Sequence, residues 1–247
     1  MKKLIVILLV LIAVGAKAQE YKVAKSKGRL ELHLGRVTVE GHNGSDIIFS
    51  SREGADDKDP RAEGLTSINS LGLKDNTGLG LNVSETGDVV SVYNLKKNNS
   101  PDVKILVPKG VIVSFEHEGV QGGTATFKNL ENEIEVSAQY NSVELENVTG
   151  PLTIKTIYGH IEASLGSNVK DPISIVSIYG YVDVTIPAAT KANLRMETSY
   201  GEILVDPNFN IEFDKYHDSD RVAGKLNGGG INIDLSCNYG KVYLRKK

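Results

Sequence analysis

Three carboxylates recur at near-equal intervals along the chain: Glu144, Glu162 and Asp183. If strands carry them one spacing apart, about 5 Å, they have three options. They can share a hard cation, they can divide the roles of acid and nucleophile at a glycosidic bond, or they can repel one another and stay screened by water. Calcium needs about six or more oxygen ligands, and no neighbouring run of Asp or Asn supplies them. No apolar pocket that would hold a general acid is evident. We therefore expect an outer surface column, with a cation site and a small polysaccharide lyase or hydrolase as the alternatives.

Other chemistry is sparse. The sequence has no GxSxG, no HExxH, no phosphate-binding Gly-Lys-Ser/Thr loop and no cysteine pair. Gly228-Gly229-Gly230 lacks the lysine and helix of a phosphate cradle. In Glu116-His117-Glu118 only the two glutamates would share a strand face. Cys237, the single cysteine, reads as a buried, inert thiol. We assign no catalytic, cofactor-binding or metal-ligating residue, expect no cofactor, and expect a protein that is not an enzyme.

The carboxylates belong to a longer pattern. Tyr-Gly occurs as Tyr158-Gly159, Tyr179-Gly180, Tyr200-Gly201 and Tyr239-Gly240, and Tyr140-Asn141 fits the same frame. With each tyrosine as zero, the intervals are 18, 21, 21 and 39 residues. Six before zero stand Ile134, Leu152, Ile173, Leu194 and Ile233; four before stand Val136, Ile154, Ile175, Met196 and Leu235. Three after stand Val143, Ile161, Val182, Ile203 and Val242; five after stand Leu145, Ala163, Val184, Val205 and Leu244. Two before zero the residue is small: Ala138, Thr156, Ser177, Thr198 or Cys237. Steps of two are the strand period. One such coil cannot offset its chain entropy, so the coils must stack.

The apolar parity changes at zero, from even offsets before it to odd offsets after it. A bulge or sharp bend at the pair accounts for the change. A left-handed backbone there would explain the glycines and would suit Asn141, so Asn141→Gly is expected to be neutral. The tyrosines share the phase of the buried residues that precede them. The reading is a stacked structural ladder in the core, with Tyr179 between Tyr158 and Tyr200; a solvent-facing ladder that grips sugar or peptide is the alternative. Ile157 and Ile178, on the outward phase, could seed a small apolar patch.

Around the repeats, residues 1–18 read as a signal peptide: Lys2-Lys3, an apolar run from Leu4 to Val14, and the cleavage site Ala16-Lys17-Ala18. Without them the chain has 25 basic and 31 acidic residues, a net charge of −6 that argues against nucleic acid. No other segment is long and apolar enough to be an integral membrane helix. Residues 19–108 read as an N-terminal β-region acting as cap, with strands suggested at Leu30–Leu34, Val37–Val39, Asp46–Phe49, Gly78–Val83, Val89–Tyr93 and Val103–Val107. Residues 53–64 read as a charged loop. Residues 109–247 read as the repeats, interrupted by a loop at 214–230.

An export signal, a strand-rich first region, Val107-Pro108-Lys109-Gly110 and tandem apolar-x-apolar-x-small-x-x-Gly-x-apolar coils resemble the bacterial "putative adhesin" β-strand-repeat family, toast-rack-like β-solenoids. The resemblance implies an all-β fold: a right-handed, single-stranded β-solenoid or β-helix-like stack of 18–21-residue coils. It implies an exported protein of the bacterial cell envelope, periplasmic, surface-associated or secreted. It implies an adhesin-like or scaffold role toward an envelope protein or polysaccharide, with no catalytic residues to carry over. A periplasmic sensor or assembly accessory is a further alternative.

Overall fold

The computed structural model describes residues 20–51, 61, 63–96, 101–170, 172–214 and 220–247. The signal segment 1–18 and most of the 53–64 loop lie outside them. Among the described residues the chain is all-β, with 21 strands in two sheets and no α-helix.

One sheet is ordered β1 (Glu20–Val23), β4 (Ile47–Ser51), β7 (Val103–Pro108), β3 (Val37–His42), β9 (Thr124–Lys128), β11 (Ser142–Val148), β13 (Ile161–Leu165), β15 (Val182–Ile186), β21 (Val242–Lys246) and β17 (Ile203–Val205). The other is ordered β18 (Ile211–Phe213), β19 (Arg221–Leu226), β16 (Ala192–Glu197), β20 (Ile231–Cys237), β14 (Ile173–Ser177), β12 (Leu152–Thr156), β10 (Ile134–Ala138), β8 (Gly110–His117), β2 (Lys27–His33), β6 (Val89–Asn94) and β5 (Leu81–Thr86).

Each coil contributes one strand to each sheet, and this explains the parity change. Even offsets before the tyrosine face the core from the second sheet; odd offsets after it face the core from the first. Ile134, Leu152, Ile173 and Ile233 are fully buried, as are Val143, Ile161, Val182 and Val242. Parallel registers place each column in line, as in Ile134↔Leu152↔Ile173↔Ile233. The same architecture runs ahead of residue 110. There β2 pairs in parallel with β8, and β3 with β9, through Leu30↔Val113 and Val39↔Phe127.

The corner is a sharp bend, and its glycines are not left-handed: none of Gly159, Gly180, Gly201 and Gly240 has positive φ. Their reason is proximity to the next coil. A Cβ on Gly159 would lie 1.8 Å from the Asn141 carbonyl oxygen, one on Gly180 2.3 Å from that of Gly159, and one on Gly240 1.9 Å from that of Gly180. The residues two before the tyrosine are small for the same reason, and most of them donate. Thr156 and Ser177 hydroxyls bond the Gly159 carbonyl at 2.9 and 2.8 Å; Thr198 bonds that of Gly240 at 2.9 Å. The buried Cys237 thiol, its pKa pushed up by burial, donates to Gly180 at 3.3 Å.

Asn141 is likewise not left-handed. It is fully buried, and its Nδ2 donates to the carbonyls of Gly35 (2.7 Å) and Gly123 (3.1 Å), with His117 Nδ1 2.7 Å from its Oδ1. Left-handed asparagines stand instead at the opposite corner: Asn129, Asn147 and Asn168, with φ of 53°, 54° and 63°. They repeat with the same 18- and 21-residue intervals.

The coils do not stack in chain order. β20 and β21 pair with β14 and β15 on one side and with β16 and β17 on the other. The last coil of the sequence is thus inserted between the coils of Tyr179 and Tyr200. Part of the expected 214–230 loop is strand: β19 runs antiparallel on β16, on the side away from β20. The chain then passes around the start of β16 through Asn227, Gly228 and Gly229, all at positive φ. Asn227 Nδ2 ties this turn to the carbonyls of Ala188 and Thr190 at 3.0 and 2.8 Å. The triple glycine serves this reversal.

Chemical denaturation will separate the two corners. Gly159→Ala forces a Cβ against backbone and costs about 1–3 kcal/mol. Asn141→Gly removes its buried hydrogen bonds to the Gly35 and Gly123 carbonyls and costs about 1–3 kcal/mol. Asn147→Gly keeps a conformation glycine adopts freely and is close to neutral. An unchanged midpoint for Gly159→Ala contradicts the close-approach explanation.

Candidate functional site

The corner backbone continues the ladder between coils. Tyr158 N–H donates to Gln139, Tyr179 to Ile157, Tyr239 to Ile178 and Tyr200 to Asn238, all at 2.7–2.9 Å. Side chains at zero are therefore held one strand spacing apart. Their rings form an unbroken stack in the order Tyr140, Tyr158, Tyr179, Tyr239, Tyr200, with centroids 4.8–5.1 Å apart and planes 9–17° from parallel. Tyr179 lies between Tyr158 and Tyr239, not Tyr200, because of the inserted coil.

The stack is outside the core. Tyr140 is 39% exposed, Tyr158, Tyr179 and Tyr239 about half, and Tyr200 74%. The expected core ladder is corrected here. The strand phase that points the preceding columns inward ends at the bend, and the small residue two before zero is the last inward position. Because ring faces cover one another, the ladder offers ring edges and a row of phenol hydroxyls. Its flank one residue earlier is uncharged: Gln139, Ile157, Ile178, Asn238 and Ser199. Ile157 and Ile178 are half-buried rather than open.

A second aromatic row, two residues after the tyrosines, escaped the sequence reading. His160 stacks on Tyr181 at 4.8 Å and 11°, and Tyr181 meets the edge of Tyr243 at 6.3 Å. Ser142 Oγ lies 3.0 Å from His160 Nδ1, and Lys241 pairs with Glu202 at 2.6 Å. The signal was present at offset two, where Ser142, His160, Tyr181, Lys241 and Glu202 form the column.

The carboxylates are in register, Glu144↔Glu162↔Asp183, on the outer face of the first sheet. They line a shallow depression of about 320 Å³ with Thr126 and Arg245. Two of the three are engaged. Asp183 holds Arg245 through two parallel hydrogen bonds of 2.7 and 2.8 Å, and Glu162 accepts the Tyr181 hydroxyl. That bond pushes the Tyr181 phenol up to about 12. Among the described residues no group of three or more His, Cys, Asp or Glu is placed to hold a metal ion. Glu116 and His117 part company: His117 turns to Asn141, while Glu116 lies 3.9 Å from His33.

Two outcomes follow. Tyr179→Ala removes two stacking contacts of about 0.5–1.5 kcal/mol each and stays well below the roughly 3–5 kcal/mol of a core aromatic such as Phe127→Ala; matched denaturation curves check this. The Tyr181 phenol binds its proton more tightly in the folded state. Its contribution is complete below the ordinary value of 10 and is lost as pH rises through about 12. Wild-type melting temperature should therefore fall more steeply between those values than that of Tyr181→Phe, and parallel slopes would refute the bond to Glu162.

Residues 128–245 match the family model described as Toastrack DUF4097. No curated protein matches the sequence. A solved structure of a "putative cell adhesion protein" from Clostridium sporogenes shares 12% identity, covering 94% of this chain and 100% of that chain, with a TM-score of 0.47. One of a "putative adhesin" from Bacteroides fragilis shares 9% identity, covering 93% and 98%, with a TM-score of 0.36. The matched stretch holds all five tyrosine coils, and over residues 128–245 the chain is similar to the Toastrack family.

Proposed function

We propose that the protein is an exported, non-enzymatic, adhesin-like scaffold of the bacterial cell envelope that presents its tyrosine ladder as a rigid binding surface to an envelope protein or a polysaccharide. The observation that carries this reading is the five-ring stack held half or more open at most positions. The fold needs a small residue two before each tyrosine and, in four of the five corners, glycine after it, but it does not need an exposed aromatic there. Tyrosines fixed in place by their neighbours and by a backbone ladder lose little freedom on binding, which favours affinity. Export rests on the residue pattern of positions 1–18. The non-enzymatic reading is supported by the engagement of Glu162 and Asp183 with Tyr181 and Arg245, which leaves the carboxylates poorly placed to divide acid and nucleophile roles.

Capture from envelope extract, alongside a glycan array, tests the surface. A Tyr158→Ala/Tyr179→Ala double variant should fold, keep its far-ultraviolet spectrum and lose most of the captured partner or glycan signal. Undiminished capture would overturn the ladder as the contact surface. Release of reducing sugar from any glycan bound would overturn the non-enzymatic reading.

A further inference from the structure

A phenol that loses one electron and one proton becomes a phenoxyl radical, and two such radicals join where their ortho carbons meet. Where a fold stacks phenols in the open therefore has chemical consequences. The five ladder rings lie face to face, with neighbouring centroids 4.8–5.1 Å apart and planes 9–17° from parallel. A repeated backbone and near-parallel planes hold the ortho carbons of neighbouring rings side by side. The rings are also accessible, from 39% at Tyr140 to 74% at Tyr200. Tyrosines elsewhere lack this arrangement. Tyr21 lies tilted at 58° beside Phe49, and Tyr93 stacks on His33. Tyr181 and Tyr243 meet edge to face at 6.3 Å and 87°, and the Tyr181 hydroxyl is held by Glu162.

We propose that the ladder is a site of oxidative cross-linking, at which neighbouring tyrosines couple into dityrosine under a one-electron oxidant of the haem-peroxidase class acting with hydrogen peroxide. Each of two phenols gives up one electron and one proton. The two radicals form one carbon–carbon bond between ortho carbons, and the two ring hydrogens at that bond move to the oxygens and restore both phenols. The two electrons and two protons reduce one hydrogen peroxide to two waters. The fold supplies proximity. Rings already in contact couple in a unimolecular step, which an encounter between two chains at micromolar concentration does not match. Access sets the order of events. Tyr200 ends the ladder and is its most exposed ring, and it stacks on Tyr239. Tyr239 stacks in turn on Tyr179. Coupling thus joins coils that are neighbours in space rather than in the chain, and it fastens the inserted C-terminal coil to the coils on either side. A bond between residues so distant in sequence restricts the unfolded chain and stabilises the stack. This chemistry does not depend on what the ladder binds.

Treatment of the full exported chain at micromolar concentration with hydrogen peroxide and a haem peroxidase, followed by peptide mapping, tests the proposal. Single chains should lose two hydrogens for each coupling, gain the blue emission of dityrosine and melt at a higher temperature. Mapped pairs should include Tyr200–Tyr239 and Tyr179–Tyr239. Tyr239→Phe keeps a stacking ring without a phenol; it should fold, lose both of those products and retain Tyr158–Tyr179. Chain denatured before treatment should lose the selection of pairs. Coupling between chains only, a Tyr179–Tyr200 product in folded wild type, or coupling of Tyr181 with Tyr243 in place of the ladder would each overturn it. So would a chain left uncoupled under conditions in which free tyrosine couples.

Discussion

The close approach of one coil's corner carbonyl to the next coil's corner Cα is the contact on which the rest of this structure depends. Parallel strands fix the coil spacing near 4.8 Å, and the bend carries that spacing around from one sheet to the other. At that distance a Cβ has no room, so glycine is required. The carbonyl that fills the space is buried and must be satisfied, so the inward residue two positions earlier is small and, in most coils, a donor. Asn141 solves the same problem in another way. Beside the corner at Gly122-Gly123, its carboxamide donates to the carbonyls of Gly35 and Gly123.

The same spacing organises the surface. Identical residues one coil apart must lie in contact, so any outward column becomes a ladder whatever its chemistry. Tyrosine at zero gives a ring stack, asparagine at the opposite corner gives an amide contact between Asn147 and Asn129 at 2.8 Å, and acidic residues at offset four give a carboxylate row. The first two are favourable by themselves. The third needs counter-groups, and Arg245 and Tyr181 supply them from other columns. The inward columns are fixed by packing, so the outward ones are where a stack of this kind can acquire a function without disturbing its fold.

Insertion of the C-terminal coil between its predecessors has a consequence for assembly of the chain. The coil of Tyr200 reaches its place in the two sheets only when β20 and β21 have entered beneath it. The final residues are therefore central rather than peripheral, and the physical end of the stack is built from residues 199–214. That segment must turn away from the stack and come back as the β18–β19 hairpin, and it closes the core less completely than the N-terminal strands close theirs.

The sequence by itself determined the all-β class, the 18- and 21-residue coils, the inward columns and the position of the bends at the tyrosines, because strand alternation and burial write themselves directly into residue type. It did not determine which way the tyrosines face. Parity predicts direction only along a straight strand, and Tyr140, Tyr158, Tyr179, Tyr200 and Tyr239 stand where the strand stops being straight. It misplaced the left-handed residues, since glycine is demanded equally by positive φ and by a neighbour too close for a Cβ, and only the three-dimensional contact separates the two. It implied that coils stack in chain order, because register repeats equally well with either neighbour: Ile233 fits beside Ile173 as Leu194 would. Tertiary structure decided that order through the antiparallel pairing of β19 with β16 and the glycine turn at 227–230, both set by contacts between residues distant in the chain.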